Sequence, residues 1–298
     1  MSAGAGFDAG RVVAVMNAGS GGWTPASPGE MTDILKAAGL GDARVVSAQP
    51  DEIDGALAEA VTGADLVITL GGDGTIRSAA ALCGKAGKRL APLPGGTMNM
   101  LPHALYGQRS WQAALADTLA SPRVRTVSGG RANGQPFYCA AILGAPSLWA
   151  DAREALRQGD LAEAAEASVA ALRHVGGDPL DYRLGEVAAG EAEAVAVICP
   201  LISKALDADT PALEAAALGA STAADLFRLA FHAVFDDWRR DPSVALARVQ
   251  RLSVRAKGRV PVILDGERAR LGAEVRVTFT PRAFEALAPA GTPGGASG

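Results

Sequence analysis

Five consecutive residues, Gly71-Gly72-Asp73-Gly74-Thr75, have the types and order of a phosphate-binding turn. The apolar run Leu66-Val67-Ile68-Thr69-Leu70 before them reads as a buried strand, and Ile76 to Leu82 after them reads as the opening of a helix. Glycines at such a turn let backbone N–H groups approach a phosphate with no Cβ in the way. The start of the helix adds a favourable partial positive charge. Asp73 needs its own reason, because a carboxylate repels a bare phosphate. A Mg²⁺ ion between carboxylate and phosphate removes the repulsion, and so does a role for Asp73 in handling a proton. Both readings point to phosphoryl transfer from a nucleotide.

Two further loops have the same character. Asn17-Ala18-Gly19-Ser20-Gly21-Gly22 follows the strand-like run Arg11 to Met16, and Pro94-Gly95-Gly96-Thr97-Met98-Asn99 follows Leu90 to Leu93. In a parallel sheet, ligands sit beyond the carboxyl ends of the strands. Three such loops on one edge therefore argue for a nucleotide site more strongly than any one of them. The dinucleotide pattern GxGxxG is absent after the first strand, and so is GxxxxGK[ST] with its lysine. A fourth element, Val262-Ile263-Leu264-Asp265-Gly266-Glu267, is a strand running into an acidic turn. Asp-Gly suits a tight hairpin turn. A kinase acting on an alcohol also needs an acceptor for the hydroxyl proton, and an Asp facing the nucleotide across a cleft would serve.

The elements that must position these residues fall into two regions. Up to about residue 125, strands at 11–16, 43–47, 66–70 and 90–93 alternate with helices at 31–38, 52–61, 76–82 and 111–119. Alternation with continuously apolar strands predicts a parallel sheet covered on both faces. Beyond it, Asn133-Gly134 between two strand-like runs predicts a hairpin. Runs at 182–187 and 194–199 flank an expected turn at Ala189-Gly190. Strands are expected at 249–255, 261–264 and 274–280, and helices over 151–173 and 211–238. The fold class is thus α/β: a Rossmann-like three-layer domain followed by an antiparallel β-rich domain with helices. The domains are expected at 1–127, completed by 283–298, and at 128–282, with a disordered tail from Pro289.

Composition narrows the function classes. Of 298 residues 49% are apolar, enough for a sizeable core. A net charge of −4 argues against a nucleic-acid binder. Cys83, Cys139 and Cys199 have no CxxC spacing and read as small buried hydrophobes. His103, His174 and His232 show no metal-ligand spacing. The first ten residues lack the pattern of a signal peptide, and no apolar run is long enough to cross a bilayer. A cytoplasmic protein is expected.

Taken together and in order, these motifs resemble the diacylglycerol kinase catalytic-domain family, which includes bacterial lipid kinases and sphingosine and ceramide kinases. The resemblance is carried by Asn17, Ser20 and Gly21, by the complete GGDGT at 71–75, by Gly96, Thr97 and Asn99, and by Asp265, Gly266 and Glu267. The closing Val277 to Pro281 and Ala283 to Pro289 are similar to the family's last strand and tail. GGDGT alone is shared with NAD kinases and phosphofructokinases.

The resemblance implies an N-terminal α/β domain and a C-terminal β-sandwich. It implies an ATP site formed by Asn17, Ser20, Gly21, Gly71, Gly72, Asp73, Gly74, Thr75 and Thr97, with Glu267 from the acidic turn. Asp73 would act near Mg²⁺ and the phosphates, and Asp265 would take the proton of the lipid hydroxyl. The expected activity is ATP-dependent phosphorylation of a lipid hydroxyl, diacylglycerol or a related long-chain alcohol. The alternatives are a sphingoid or ceramide kinase, an NAD kinase, or a catalytically impaired nucleotide- or lipid-binding member. Two departures stand out: Arg77-Ser78 in place of Asn-Glu after GGDGT, and Met100 in place of the acid after Gly-Thr-x-Asn. Asp207 and Asp209 are the nearest candidates for a structural Mg²⁺, but the turn lacks its glycine, so no metal is assigned there.

The expected partner is a lipid at a membrane surface, met transiently from the inner face, with no nucleic acid; a homodimer is left open. Arg239, Arg240, Arg248, Arg251, Arg255, Lys257 and Arg259 could meet anionic headgroups or alternate on the solvent face of strands. Phe227, Phe231, Val234, Phe235 and Trp238 share one helical stripe that is either core or lipid-facing.

Overall fold

The computed structural model describes residues 9–144, 179–218 and 244–290. The chain divides into two compact units, Met1–Ser128 with Arg282–Gly298, and Gly129–Pro281.

The first unit is built on a parallel sheet. Strands β1 (Val12–Asn17), β2 (Arg44–Ala48), β3 (Leu66–Gly71) and β4 (Arg89–Pro94) lie in the order β2-β1-β3-β4. Every residue of β3 is buried, as are five of the six in β1 and in β4. Successive residues of a strand face opposite sides, so both faces of the sheet are covered. Helices α1 (Ser27–Ala37), α2 (Ile53–Gly63), α3 (Asp73–Ala86) and α5 (Trp111–Ala120) supply that cover. Helix α2 packs on α3, and α1 packs on α5. The short helix α4 (Met100–Tyr106) was not expected from the apolar spacing. Its end signals are nonetheless present: Asn99 before it, Pro102 in its first turn and Gly107 after it.

The chain end completes this unit. Glu285 and Ala286, in the latter part of β16 (Glu274–Pro289), pair in parallel with Arg89 and Leu90. The Tyr106 hydroxyl donates to the Leu287 carbonyl, 3.0 Å away, and full burial holds the phenol well above its ordinary pKa. Pairing beside β4 stops after Leu90, so Pro92 and Pro94 sit where no neighbouring strand needs their missing N–H. Gly84 of α3 lies directly against the Ala283 carbonyl, with no room for a Cβ. Gly84→Ala should therefore cost about 1–3 kcal/mol by overpacking, although alanine favours a helix. An unchanged denaturation midpoint would show that the strand is not seated there.

The second unit is a sandwich of two sheets. One runs β12 (Val244–Val249), β11 (Leu213–Leu218), β10 (Ala194–Ile198), β7 (Ala140–Gly144), β14 (Pro261–Leu264) and β15 (Glu267–Arg270). The other joins β9 (Ala188–Ala192), β8 (Leu180–Leu184), β13 (Arg251–Arg255) and the start of β16, with the hairpin of β5 (Pro122–Ala132) and β6 (Gln135–Phe137) beside it. Inward residues of both sheets, among them Leu143, Val197, Leu213, Leu252, Val254 and Val277, form one core. Asn133 and Gly134 turn the β5–β6 hairpin with φ of 46° and 86°, the paired left-handed conformations that Asn-Gly favours.

Two expectations are corrected. The turn between β8 and β9 lies at Gly185–Val187, and Ala189-Gly190 is paired within β9. Gly185 supplies the left-handed residue there, with φ 57°. The stretch from Pro211 does not begin a helix: Leu213-Glu214-Ala215-Ala216-Ala217-Leu218 is a wholly buried strand paired on both sides. Its alanines favour a helix in isolation, but pairing and burial on both faces override that preference. The helix expected over 151–173, the later part of the one expected to 238 and the stripe from Phe227 to Trp238 lie outside the described residues. So do Arg239, Arg240 and all but the first two residues of the expected tail.

All three cysteines are buried and none is in a disulfide, in keeping with their spacing. Burial pushes the Cys83 thiol up to about 12. Among the described residues, no helix is long and apolar enough to cross a membrane.

Candidate active site

The three glycine-rich loops of the first unit are tied to one another. Each leaves the carboxyl end of a strand, β1, β3 or β4. The Gly22 N–H donates to the Gly95 carbonyl at 2.8 Å, and the Gly95 N–H donates to the Gly71 carbonyl at 3.0 Å. A Cβ on Gly96 would come within 2.6 Å of Gly72 Cα, and one on Gly71 within 2.6 Å of Thr75 Cβ. Gly96 is required by contact between backbones and Gly71 by contact with the Thr75 side chain, apart from any ligand.

The side chains assigned to ligand binding also have internal partners. Asn17 donates from Nδ2 to the Thr75 hydroxyl at 2.9 Å and accepts the Gly19 N–H on Oδ1. The Ser20 hydroxyl donates to the Asn17 carbonyl. Asn17 thus ties the first loop to the start of α3. Gly21 is exposed, with open space where a Cβ would stand, and Thr97 is exposed in the third loop.

Asp73 is the residue whose place explains most. It is the first residue of α3, after Gly72 as N-cap. One carboxylate oxygen accepts the N–H of Asn99 at 3.0 Å, and the other accepts the N–H of Met100 at 2.9 Å. Those are the two amides that open α4, which intrahelical bonding leaves without partners. Asn99 stands in the left-handed region with φ 49° and closes its loop on Gly96 through both ends of its amide. Burial raises the Asp73 pKa; the Met100 and Asn99 amides, its own N–H and the nearby His103 ring pull it back down. His103 in turn donates from Nδ1 to the Gly107 carbonyl at 3.2 Å, since a carbonyl can only accept. The sequence reading missed Asn99, Met100 and His103 as partners of Asp73. The one signal for them was the Asn-to-Gly bracket around α4.

With Asp73 engaged at α4, the start of α3 keeps its own donors. Its first helical bond runs from the Ile76 N–H to the Gly72 carbonyl. The Gly74 and Thr75 N–H groups precede that bond and have no acceptor among the described residues. A helix of this length with open first-turn amides and glycine-lined access is a ready anion site. Arg77 lies one turn further along the same face.

Residues 11–132 match the family model of the diacylglycerol kinase catalytic domain. The fold agrees with solved structures from Bacillus anthracis str. Sterne. A diacylglycerol kinase is 17% identical with a TM-score of 0.69, covering 94% of this chain and 97% of its own. A second, provisionally assigned as a diacylglycerol kinase, is 19% identical with a TM-score of 0.74 at the same coverage. A third, also provisionally assigned, is 19% identical with a TM-score of 0.71, covering 93% and 96%. At these identities the likeness establishes the fold.

In the second unit, Asp265 and Gly266 form the two-residue turn between β14 and β15, with φ of 50° and 87°. The Asp265 side chain is nearly inaccessible, at 4% exposure. Its Oδ2 accepts the Tyr138 N–H at 2.8 Å; its Oδ1 accepts those of Cys139 at 2.8 Å and Ala140 at 3.0 Å. Three converging amides are complementary to an ionised carboxylate. The hairpin expected from Asp-Gly and the special acid are thus one feature, since the turn delivers the carboxylate to the start of β7. Glu267 begins β15 and is exposed.

The donor set for a metal was tested on the same geometry. Among the described residues, no three His, Cys, Asp or Glu side chains converge. Mg²⁺ is usually held by one or two carboxylates together with substrate phosphates. Asp73 beside the open amides of α3 fits a metal that arrives with a nucleotide.

Proposed function

We propose that this protein is a lipid kinase that transfers the γ-phosphoryl group of ATP to the hydroxyl of diacylglycerol or a related long-chain alcohol. The observation that carries the reading is the open first turn of α3, with its Gly74 and Thr75 amides, set among three interlocked glycine loops. Those amides bind and orient the phosphates. Gly21 and Thr97 border the same site from the first and third loops, and Arg77 adds positive charge along α3. Mg²⁺ bound with the nucleotide would neutralise phosphate charge, with Asp73 as the carboxylate that meets it. Asp265 accepts the proton of the attacking hydroxyl. The protein works in the cytoplasm and meets its lipid at a membrane surface.

Purified protein given labelled ATP and Mg²⁺ should phosphorylate diacylglycerol in a panel that also holds ceramide, a sphingoid base and NAD. The lipid product is identified by mass spectrometry. Labelled ceramide or sphingoid base would move the substrate assignment, and labelled NAD would overturn the lipid reading. ATP binding without transfer to any acceptor would mark an impaired member, the reading that Ser78 and Met100 motivate.

A further inference from the structure

The second unit carries a cationic, partly apolar area on the exposed face of one sheet. Arg251, Ser253 and Arg255 alternate outward along β13, while Leu252 and Val254 point into the core. Register places Arg183 of β8 and Arg276 of β16 on either side of Ser253. Residues directly opposite in antiparallel strands share a face. The two arginines therefore stand about 10 Å apart, two strand spacings, with Arg251 in the next row between them. Arg183, Arg251 and Arg276 are all exposed.

The charge on this face is unevenly distributed. At one end, Glu191, Asp181, Arg255 and Glu274 form a mixed row, and Glu274 pairs with both Arg255 and Arg276. At the other end, Arg251 and Arg183 form no ion pair among the described residues, and Glu186 in the β8–β9 turn is the acid nearby.

Apolar groups flank Arg251 on both sides. Gly185 of that turn packs against the Arg251 backbone, and Val187 of the same turn is 68% exposed. On the other side Arg251 lines a pocket of about 380 Å³ with Phe279, Pro211, Pro281, Gln250 and Thr278. A soluble anion is held by groups that converge on it. Here Arg183 and Arg251 are spread across a sheet face with the exposed Val187 in the adjoining turn, as an extended anionic surface with an apolar layer beneath would require.

We propose that this end of the sheet face is where the protein rests on an anionic phospholipid bilayer. Arg183 and Arg251 meet headgroup phosphates, while Val187 meets the acyl boundary. The inference rests on the lipid-kinase reading for its purpose but concerns a surface separate from the phosphate loops. The test is co-sedimentation with vesicles of phosphatidylcholine alone and of phosphatidylcholine with phosphatidylglycerol in equal parts. Wild type should bind the anionic vesicles only, and less as salt is raised. Arg251→Gln and Arg183→Gln should each lower binding about fivefold, and together about twenty-fivefold. Arg255→Gln, at the charge-paired end, should bind as wild type does.

Phosphorylation of a soluble short-chain diacylglycerol without vesicles should be unchanged in all three variants. Undiminished binding by the double variant would overturn the proposal. So would equal binding to both vesicle types, no binding to either, or displacement by free glycerol phosphate. The two readings fail separately. Loss of the vesicle effect with intact turnover of the short-chain lipid sinks only the docking surface. Vesicle binding with no lipid turnover sinks only the proposed activity.

Discussion

Asp265→Asn is expected to lower phosphoryl transfer about 10²–10⁴-fold, the usual contribution of a general base, while nucleotide still binds the loops of the first unit. The exchange keeps size and shape but removes the charge. It also turns an NH₂ group toward backbone amides that the carboxylate now accepts from Tyr138, Cys139 and Ala140. A donor facing a donor leaves buried groups unsatisfied, at about 1–3 kcal/mol. The variant should therefore also unfold at lower denaturant, and the two losses must be measured separately. Chemical denaturation reports the clamp on β7. Single-turnover transfer under conditions where the variant is folded reports the proton acceptor. If folded Asp265→Asn transfers phosphate at the wild-type rate, the acid serves only to hold the β14–β15 turn against β7.

Asp73→Ala is the second large effect. It removes the acceptor of the two amides that open α4, and with it one of the links between the second and third loops. Stability should fall by about 2 kcal/mol, less than two fully buried amides would cost because Met100 is only half buried. Relief of the cost of burying a carboxylate offsets part of the loss. Nucleotide affinity should fall with it, because Asp73 holds the Asn99–Met100 end of the third loop against the start of α3. Asp73→Asn keeps one acceptor and should lie between alanine and wild type in stability.

The asparagine variant also separates the structural role from the metal role. If Asp73 meets the metal of a Mg-nucleotide, wild type prefers Mg-ATP over free ATP and the variant loses that preference. An unchanged preference in calorimetric titration would confine Asp73 to holding α4. The pH dependence has a definite sign. The folded pKa of Asp73 is raised, chiefly by burial, so the folded state holds the proton more tightly than the unfolded chain does. Its contribution to stability is complete below the ordinary value of 3.8 and is lost as pH rises through the folded pKa. Wild type minus Asp73→Asn should show that slope.

The partners of the Asp73 carboxylate lie elsewhere in the chain. An acid in a phosphate turn was explained from sequence by a metal or a proton. In the fold its carboxylate also accepts amides 26 and 27 residues further on. Spacing within one motif cannot reveal such a bond, because the loops meet only when β3 and β4 lie side by side. Asp265 shows the same limit over a longer span, since its three amide donors lie 125 to 127 residues away. Leu213–Leu218 shows it for secondary structure. An alanine-rich hexapeptide follows helix preference until two neighbouring strands take up its backbone.

What the sequence determined by itself is what local backbone chemistry encodes. The alternation of apolar runs and helices specified a covered parallel sheet. Asn133-Gly134 and Asp265-Gly266 specified hairpins through their tolerance of positive φ, and the glycine loops marked the carboxyl edge of the parallel sheet. Only the tertiary structure decided which glycines are needed for contact between backbones, that Asp73 opens α4, and that Arg183, Arg251 and Arg276 share one face. Each of these depends on strand register. Register is set by which strands bury their apolar faces together, a property of the whole core and not of any stretch within it.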